Sequence, residues 1–269
     1  MTELMGTLIK IKNTGSSDLF NARLLFGVMK LRDAIIRDDK ERLEFDKLYN
    51  PVLENLEDCI ESKNELVNLI NKHKEKVRSR EIIAFQNNGN ILEVKESINR
   101  ESGRLFKDFF IKGEIAMKSL QYLTKKYNLD FGFFFQKEKD FKNGINFLKT
   151  RNDKDDGVLV ETLTVNRPWH NLFNEIRRKI EHEGFSPGDI KYRKNEDSIE
   201  VLVPKINDKA INEIVEIFWE NVFHFVEDII AITIDKNLKD PMLIVQIPKD
   251  KRDPSLPIKY TVGLKNFVK

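Results

Sequence analysis

The chain has 269 residues, 33% of them charged, and its 46 Lys and Arg against 44 Asp and Glu leave a net charge of only +2. Near-neutrality excludes a strongly basic protein that coats nucleic acid, but not a local basic cleft. The single cysteine, Cys59, excludes an intrachain disulfide and suits a reducing cytoplasm. No basic-apolar-small order of a signal peptide opens the chain, and no apolar run approaches the roughly 20 residues that span a bilayer. The expectation is a cytoplasmic chain with no membrane segment.

In chain order, Leu8 to Lys12 suggests a short edge strand before the Thr14-Gly15-Ser16 break. From Ser17 the period becomes helical, with Phe20, Leu24, Val28, Leu31 and Ile35 on one face and Ser17 or Asp18 as cap. A second helix is predicted over 39–49, broken or kinked at Asn50-Pro51. A third carries Val52, Leu56, Cys59, Ile60, Val67 and Ile70 to about Lys74, with His73 solvated at its end. Residues 75–91 read as a connection re-entering helix. The basic cluster Lys74, Lys76, Arg78 and Arg80 makes either a solvated face or a contact for RNA phosphates.

A long helix is predicted over 90–127, with Ile98, Leu105, Phe109, Ala116, Leu120 and Leu123 on one face and Phe106, Phe110 and Met117 widening it. Asn128 marks a turn, and Phe131, Phe133, Phe134 and Phe135 form an aromatic cluster read as core rather than a base-stacking platform. Another helix spans 136–149. Residues 152–157 look like a calcium loop but place Lys154 and Leu163 where ligands belong, so they are read as a polar loop.

Residues 169–184, WHNLFNEIRRKIEHEG, form the helix that stands out. Trp169, Leu172, Phe173, Ile176 and Ile180 make its apolar stripe, Pro168 sits near the first turn, Asn166 caps and Gly184 stops it. Arg177, Arg178 and His182 lie on the faces left free. A hairpin should follow, from Ile190–Arg193 paired with 198–203, and Tyr192 and Arg193 are close enough in sequence to wall the same cleft. The last long helix is predicted over 208–235 with Asp208 as cap and His224 as a core or dimer-face residue, and two strands, 242–247 and 258–264, close the chain. His170 is either a second functional imidazole or a residue outside the His182 site, about three turns away.

Arginine, four residues and then histidine, in the string RRKIEHEG, resembles the R-x4-6-H motif of the HEPN superfamily. The resemblance implies a mainly α fold, a HEPN-like helical bundle over 91–236. Residues 1–90 would then be an N-terminal helical extension and 237–269 a C-terminal β segment. It also implies a metal-independent endoribonuclease that acts as a homodimer with no cofactor, in a toxin or phage-defence setting with an antitoxin or other partner protein. Arg177 and His182 match the family's catalytic pair; Arg178 stands where Asn is common, a departure in geometry but not in charge.

On chemical grounds, His182 would move the ribose 2′-OH proton and Arg177 would hold the scissile phosphate. Arg178, Tyr192 and Arg193 would bind substrate. On a straight helix, five positions separate Arg177 from His182 by about 140°, so two chains sharing one cleft would ease the geometry. Two other readings stay open. One is a non-catalytic HEPN-like scaffold for RNA or protein. The other is a structural helix whose Arg177/Glu181 and Glu175/Lys179 are ordinary i, i+4 ion pairs. Walker, dinucleotide-binding, zinc-hydrolase and nucleophile-elbow motifs are all absent from the sequence.

Overall fold

A computed structural model describes residues 15–86, 91–151, 156–195 and 198–265. The predicted strand at 8–12 lies outside the described residues. Among those described, the fold is mainly α-helical with short antiparallel hairpins, and no helix is long and apolar enough to cross a membrane.

The chain divides into two compact units, Met1–Leu43 with Ile230–Lys269, and Glu44–Ile229. The division differs from the boundaries expected at 90 and 236, and shared packing is the reason. Residues after Glu44 join the same core as the later helices: Cys59 donates to the Phe109 carbonyl at 3.4 Å, and Lys112 reaches Asp58 at 2.6 Å.

In the first unit, a π-helical stretch, Asn21–Gly27, runs into α1, Val28–Ile35. Asp18 supplies the expected cap, accepting from the Asn21 N–H, and Leu24, Val28 and Leu31 are buried. The terminal strands β7, Met242–Gln246, and β8, Tyr260–Leu264, pair antiparallel from Met242↔Leu264 to Gln246↔Tyr260. Ile258 packs beside Gly27, so the predicted C-terminal β segment belongs with the first helices.

The second unit begins within α2, Asp39–Arg78, a single helix of 40 residues capped by Asp38, whose carboxylate accepts the Lys40 and Glu41 N–H groups. The break expected at Pro51 does not occur. Proline removes one helical hydrogen bond, but Pro51 is exposed, so water can satisfy the freed carbonyl. The segment after α2 is a β-hairpin rather than helix: β1, Ile83–Gln86, pairs antiparallel with β2, Ile91–Val94. The β-branched residues Ile83 and Val94 of the paired strands suit extended backbone, and that preference prevails over the helical reading.

Helix α3 is therefore shorter than predicted, Asn99–Lys126, and its expected face is fully inside: Phe106, Phe109, Phe110, Met117 and Leu120 are all at 0% exposure. After the left-handed Asn128 and a 3-10 turn, Gly132–Phe135, come α4, Glu138–Arg151, and α5, Asp156–His182. Phe131 and Phe134 are buried, as the core reading expects. Next come β3, Lys191–Lys194, antiparallel to β4, Ile199–Leu202; the small pair β5, Lys205–Ile206, and β6, Lys209–Ala210; and α6, Ile211–Asp235. Asp208 lies in the β5–β6 turn with φ 64° instead of capping α6.

Aromatic side chains from three helices meet at the centre: Phe110 lies 4.7 Å from Phe173 and 5.5 Å from Phe218, and Phe173 lies 5.4 Å from Phe218. A Cβ at Gly113 would stand 2.9 Å from Phe173 Cζ and 3.4 Å from Cys59 Sγ. Gly113→Ala should therefore lower stability by about 1–3 kcal/mol through overpacking, despite alanine's roughly 1 kcal/mol advantage in helix propensity. Gly157→Ala, with nothing within 4 Å of the new methyl, should raise it by up to about 1 kcal/mol. Urea unfolding of the two variants beside the parent measures both.

Candidate functional site

Helix α5 starts at Asp156, well before the predicted 169. Asp156 is buried and takes a two-point contact from Arg151, at 2.7 and 2.8 Å, which places a carboxylate at the positive end of the helix. Pro168 is internal rather than initial. It is exposed, and so is Thr164, the residue whose carbonyl it leaves without a helical donor. Asn166 is not the cap: its amide donates to the Thr162 carbonyl at 2.8 Å, and its oxygen accepts from the Trp169 indole at 2.6 Å. The predicted stop holds, with Gly184 at φ 64° and the Phe185 N–H returning to the Lys179 carbonyl.

Of the apolar stripe, Phe173, Ile176 and Ile180 are buried. Trp169 and Leu172 instead help line a small apolar groove of about 170 Å³ with Ile214 and Phe218.

The polar end of α5 brings Arg177 and His182 to one oxygen. The Arg177 guanidinium donates to Glu181 Oε2, and its other terminal nitrogen reaches Asn174 Oδ1 at 3.2 Å. His182 Nε2 lies 3.9 Å from the same Glu181 oxygen, with the imidazole 68% exposed. Glu181 thus lies between the two groups, hydrogen-bonded to Arg177 but beyond hydrogen-bonding distance of His182. Arg178 points elsewhere, 3.1 Å from Glu183, and lines an open cleft of about 440 Å³ with Asn171 and Asn174.

The remaining predicted residues are engaged differently. The Tyr192 hydroxyl is hydrogen-bonded to His73 Nε2 at 2.7 Å, and Arg193 lies 3.5 Å from Glu200 on the paired strand. No described contact joins either residue to Arg177 or His182. His73 is not solvated, as its run of lysines suggested, but buried at 2% exposure, and burial lowers its pKa while raising that of Tyr192. His224, expected in the core or on a dimer face, is 45% exposed and 4.0 Å from Glu220. His170 is the core histidine. Its ring lies 4.5 Å from that of Phe134, tilted by 40°, with Nε2 3.8 Å from the buried Glu114.

Burial, with Arg167, Lys118 and Arg177 nearby, holds the His170 pKa down to about 3. Its seven-residue spacing from Arg177, which puts both on one helix face, was the available signal. Among the described residues, no three His, Cys, Asp or Glu side chains cluster as metal ligands would. In comparisons with known proteins, no family model, no curated protein and no solved structure matches the chain.

Two measurements check these environments. His170 stays neutral in the folded protein down to about pH 3, whereas an unfolded histidine takes up its proton near pH 6.5. Stability should accordingly fall as pH drops from about 6.5 toward 3, by up to about 1.4 kcal/mol per pH unit, and His170→Leu should flatten that slope in thermal melts. Tyr192→Phe strands a buried nitrogen of His73 and should lower stability by about 1–3 kcal/mol in urea unfolding.

Proposed function

We propose that the chain is a HEPN-like, metal-independent endoribonuclease acting as a homodimer, with Arg177 and His182 as its catalytic pair. The observation that carries this reading is the shared oxygen: Glu181 Oε2 accepts from Arg177 and stands 3.9 Å from His182, where a phosphate oxygen of RNA would displace it. Arg177 then holds the scissile phosphate by its planar fork and offsets charge growing there in the transition state. His182 removes the proton of the ribose 2′-OH, whose oxygen attacks phosphorus and expels the 5′-oxygen of the next nucleotide. The imidazolium so formed, or the second copy's His182, returns a proton to that leaving group.

A second reading, a non-catalytic scaffold that binds RNA or a protein, is favoured by the hold of Glu181 and Asn174 on Arg177. One experiment separates the two. The purified chain in EDTA should cut mixed-sequence RNA to 2′,3′-cyclic phosphate ends and run as a dimer in light scattering. His182→Ala should abolish cutting without changing the oligomer, and Arg177→Lys should reduce cutting more than RNA binding. An inert wild type that still binds RNA selects the scaffold, and cutting only with added divalent metal sinks the mechanism.

A further inference from the structure

Lys74, Arg78 and Arg80 come from the last turns of α2 and the residue pair just past it. They line a partly open cleft of about 420 Å³ with Asn195, Ser198 and Val201 of the β3–β4 hairpin. We propose that this cleft is a second nucleic-acid contact, which binds the sugar-phosphate backbone of single-stranded RNA. The choice of RNA rests on the cleavage reading above; the residues of the cleft do not.

Three features of the cleft lead to a polyanion. The first is unmatched charge. Arg104, Arg151, Arg177 and Arg178 each have a carboxylate within hydrogen-bonding reach, and Lys76 is held by Glu96 at 2.7 Å. Among the described residues, no ion pair joins Lys74, Arg78 or Arg80 to a carboxylate. The lining carboxylate, Glu200, lies 3.5 Å from Arg193 instead. Glu196 and Asp197 lie outside the described residues.

The second feature is the backbone at Arg80. It closes the C-terminal cap of α2 with φ 60°, while the Glu81 N–H returns to the Lys76 carbonyl at 3.0 Å. Glycine or asparagine suits that left-handed position, and the corresponding ends of α5 and α3 use Gly184 and Asn128. The helix dipole favours cations at Lys74 and Arg78 whatever they bind. It gives no reason to hold an arginine in the strained position beyond the helix, beside the cleft.

The third feature is rigidity. The His73–Tyr192 hydrogen bond ties α2 to β3, and Tyr192 pairs across the hairpin with Val201, so one hairpin face is fixed toward the cleft. Preformed walls spare the ordering that binding otherwise requires. Along α2 the rise from Lys74 to Arg78 is about 6 Å, comparable with the step between successive phosphates of a strand. Two arginine forks suit phosphate oxygens, and the contacts would carry no base sequence.

The test uses the full chain with His182→Ala, so that the probe survives, and a fluorescein-labelled single-stranded RNA followed by anisotropy across a salt series. Adding Arg78→Gln and Arg80→Gly should weaken binding about tenfold at low salt and flatten the log–log salt dependence by about 0.7 for each lost phosphate contact. Arg80→Gly relieves the left-handed strain, so an unchanged or higher melting temperature shows that the fold is intact. Unaltered affinity and salt slope in the double variant, or no RNA binding by the parent, overturns the cleft. Equal competition by polyglutamate and polyuridylate overturns the phosphodiester assignment. Cleavage by the wild type with cyclic ends is scored separately, so either idea can fail while the other stands.

Discussion

Phe173 packs against the bare backbone of Gly113, and that contact sets the rotation of α5. A side chain at position 113 would overlap the ring, so α3 and α5 approach only with glycine there. Phe110 and Phe218 close around the same ring, and Cys59, whose thiol burial pushes up in pKa, touches the position from α2. With Phe173, Ile176 and Ile180 turned inward, helical geometry leaves Arg178 and His182 on exposed positions and holds Arg177 at the boundary, 17% exposed. The polar end of α5 is thus a consequence of how its apolar side is seated.

Electrostatics then sort the charged groups of α5 by depth. His170 lies in the aromatic core and stays neutral, while Glu114 beside it is matched at the surface by Lys118 at 3.0 Å. Arg167 is spent on structure: its guanidinium donates to the Phe134 and Gln136 carbonyls and pins the 3-10 turn to α5. At the penultimate residue of the helix, Glu181 accepts from a guanidinium, with an imidazole 3.9 Å away. The same carboxylate can be read as a structural counter-ion or as an internal stand-in for phosphate, and the proposed activity turns on that difference.

Much of this protein was legible in periodicity. The buried faces of α3, α4 and α6, the β3–β4 hairpin, the terminal β7–β8 pair and the glycine stop of α5 all follow from apolar spacing and turn residues. These are local preferences that tertiary packing here reinforces. The same local reasoning misplaced two prolines. Pro51 and Pro168 look like helix boundaries, yet both sit inside helices on exposed faces, where solvent can satisfy the carbonyl that proline leaves unpaired.

What the sequence determined by itself, then, is where most helices lie and which faces they bury, since both depend largely on neighbours within a few positions. Only the tertiary structure decided the partners of the polar residues. A histidine among lysines was buried by a tyrosine 119 residues away. His170 entered the core while His224 stayed near solvent, and Arg177 turned to Glu181 and Asn174 of its own helix. Side-chain reach and long-range packing set these distances, and neither is written in the spacing of residues along the chain.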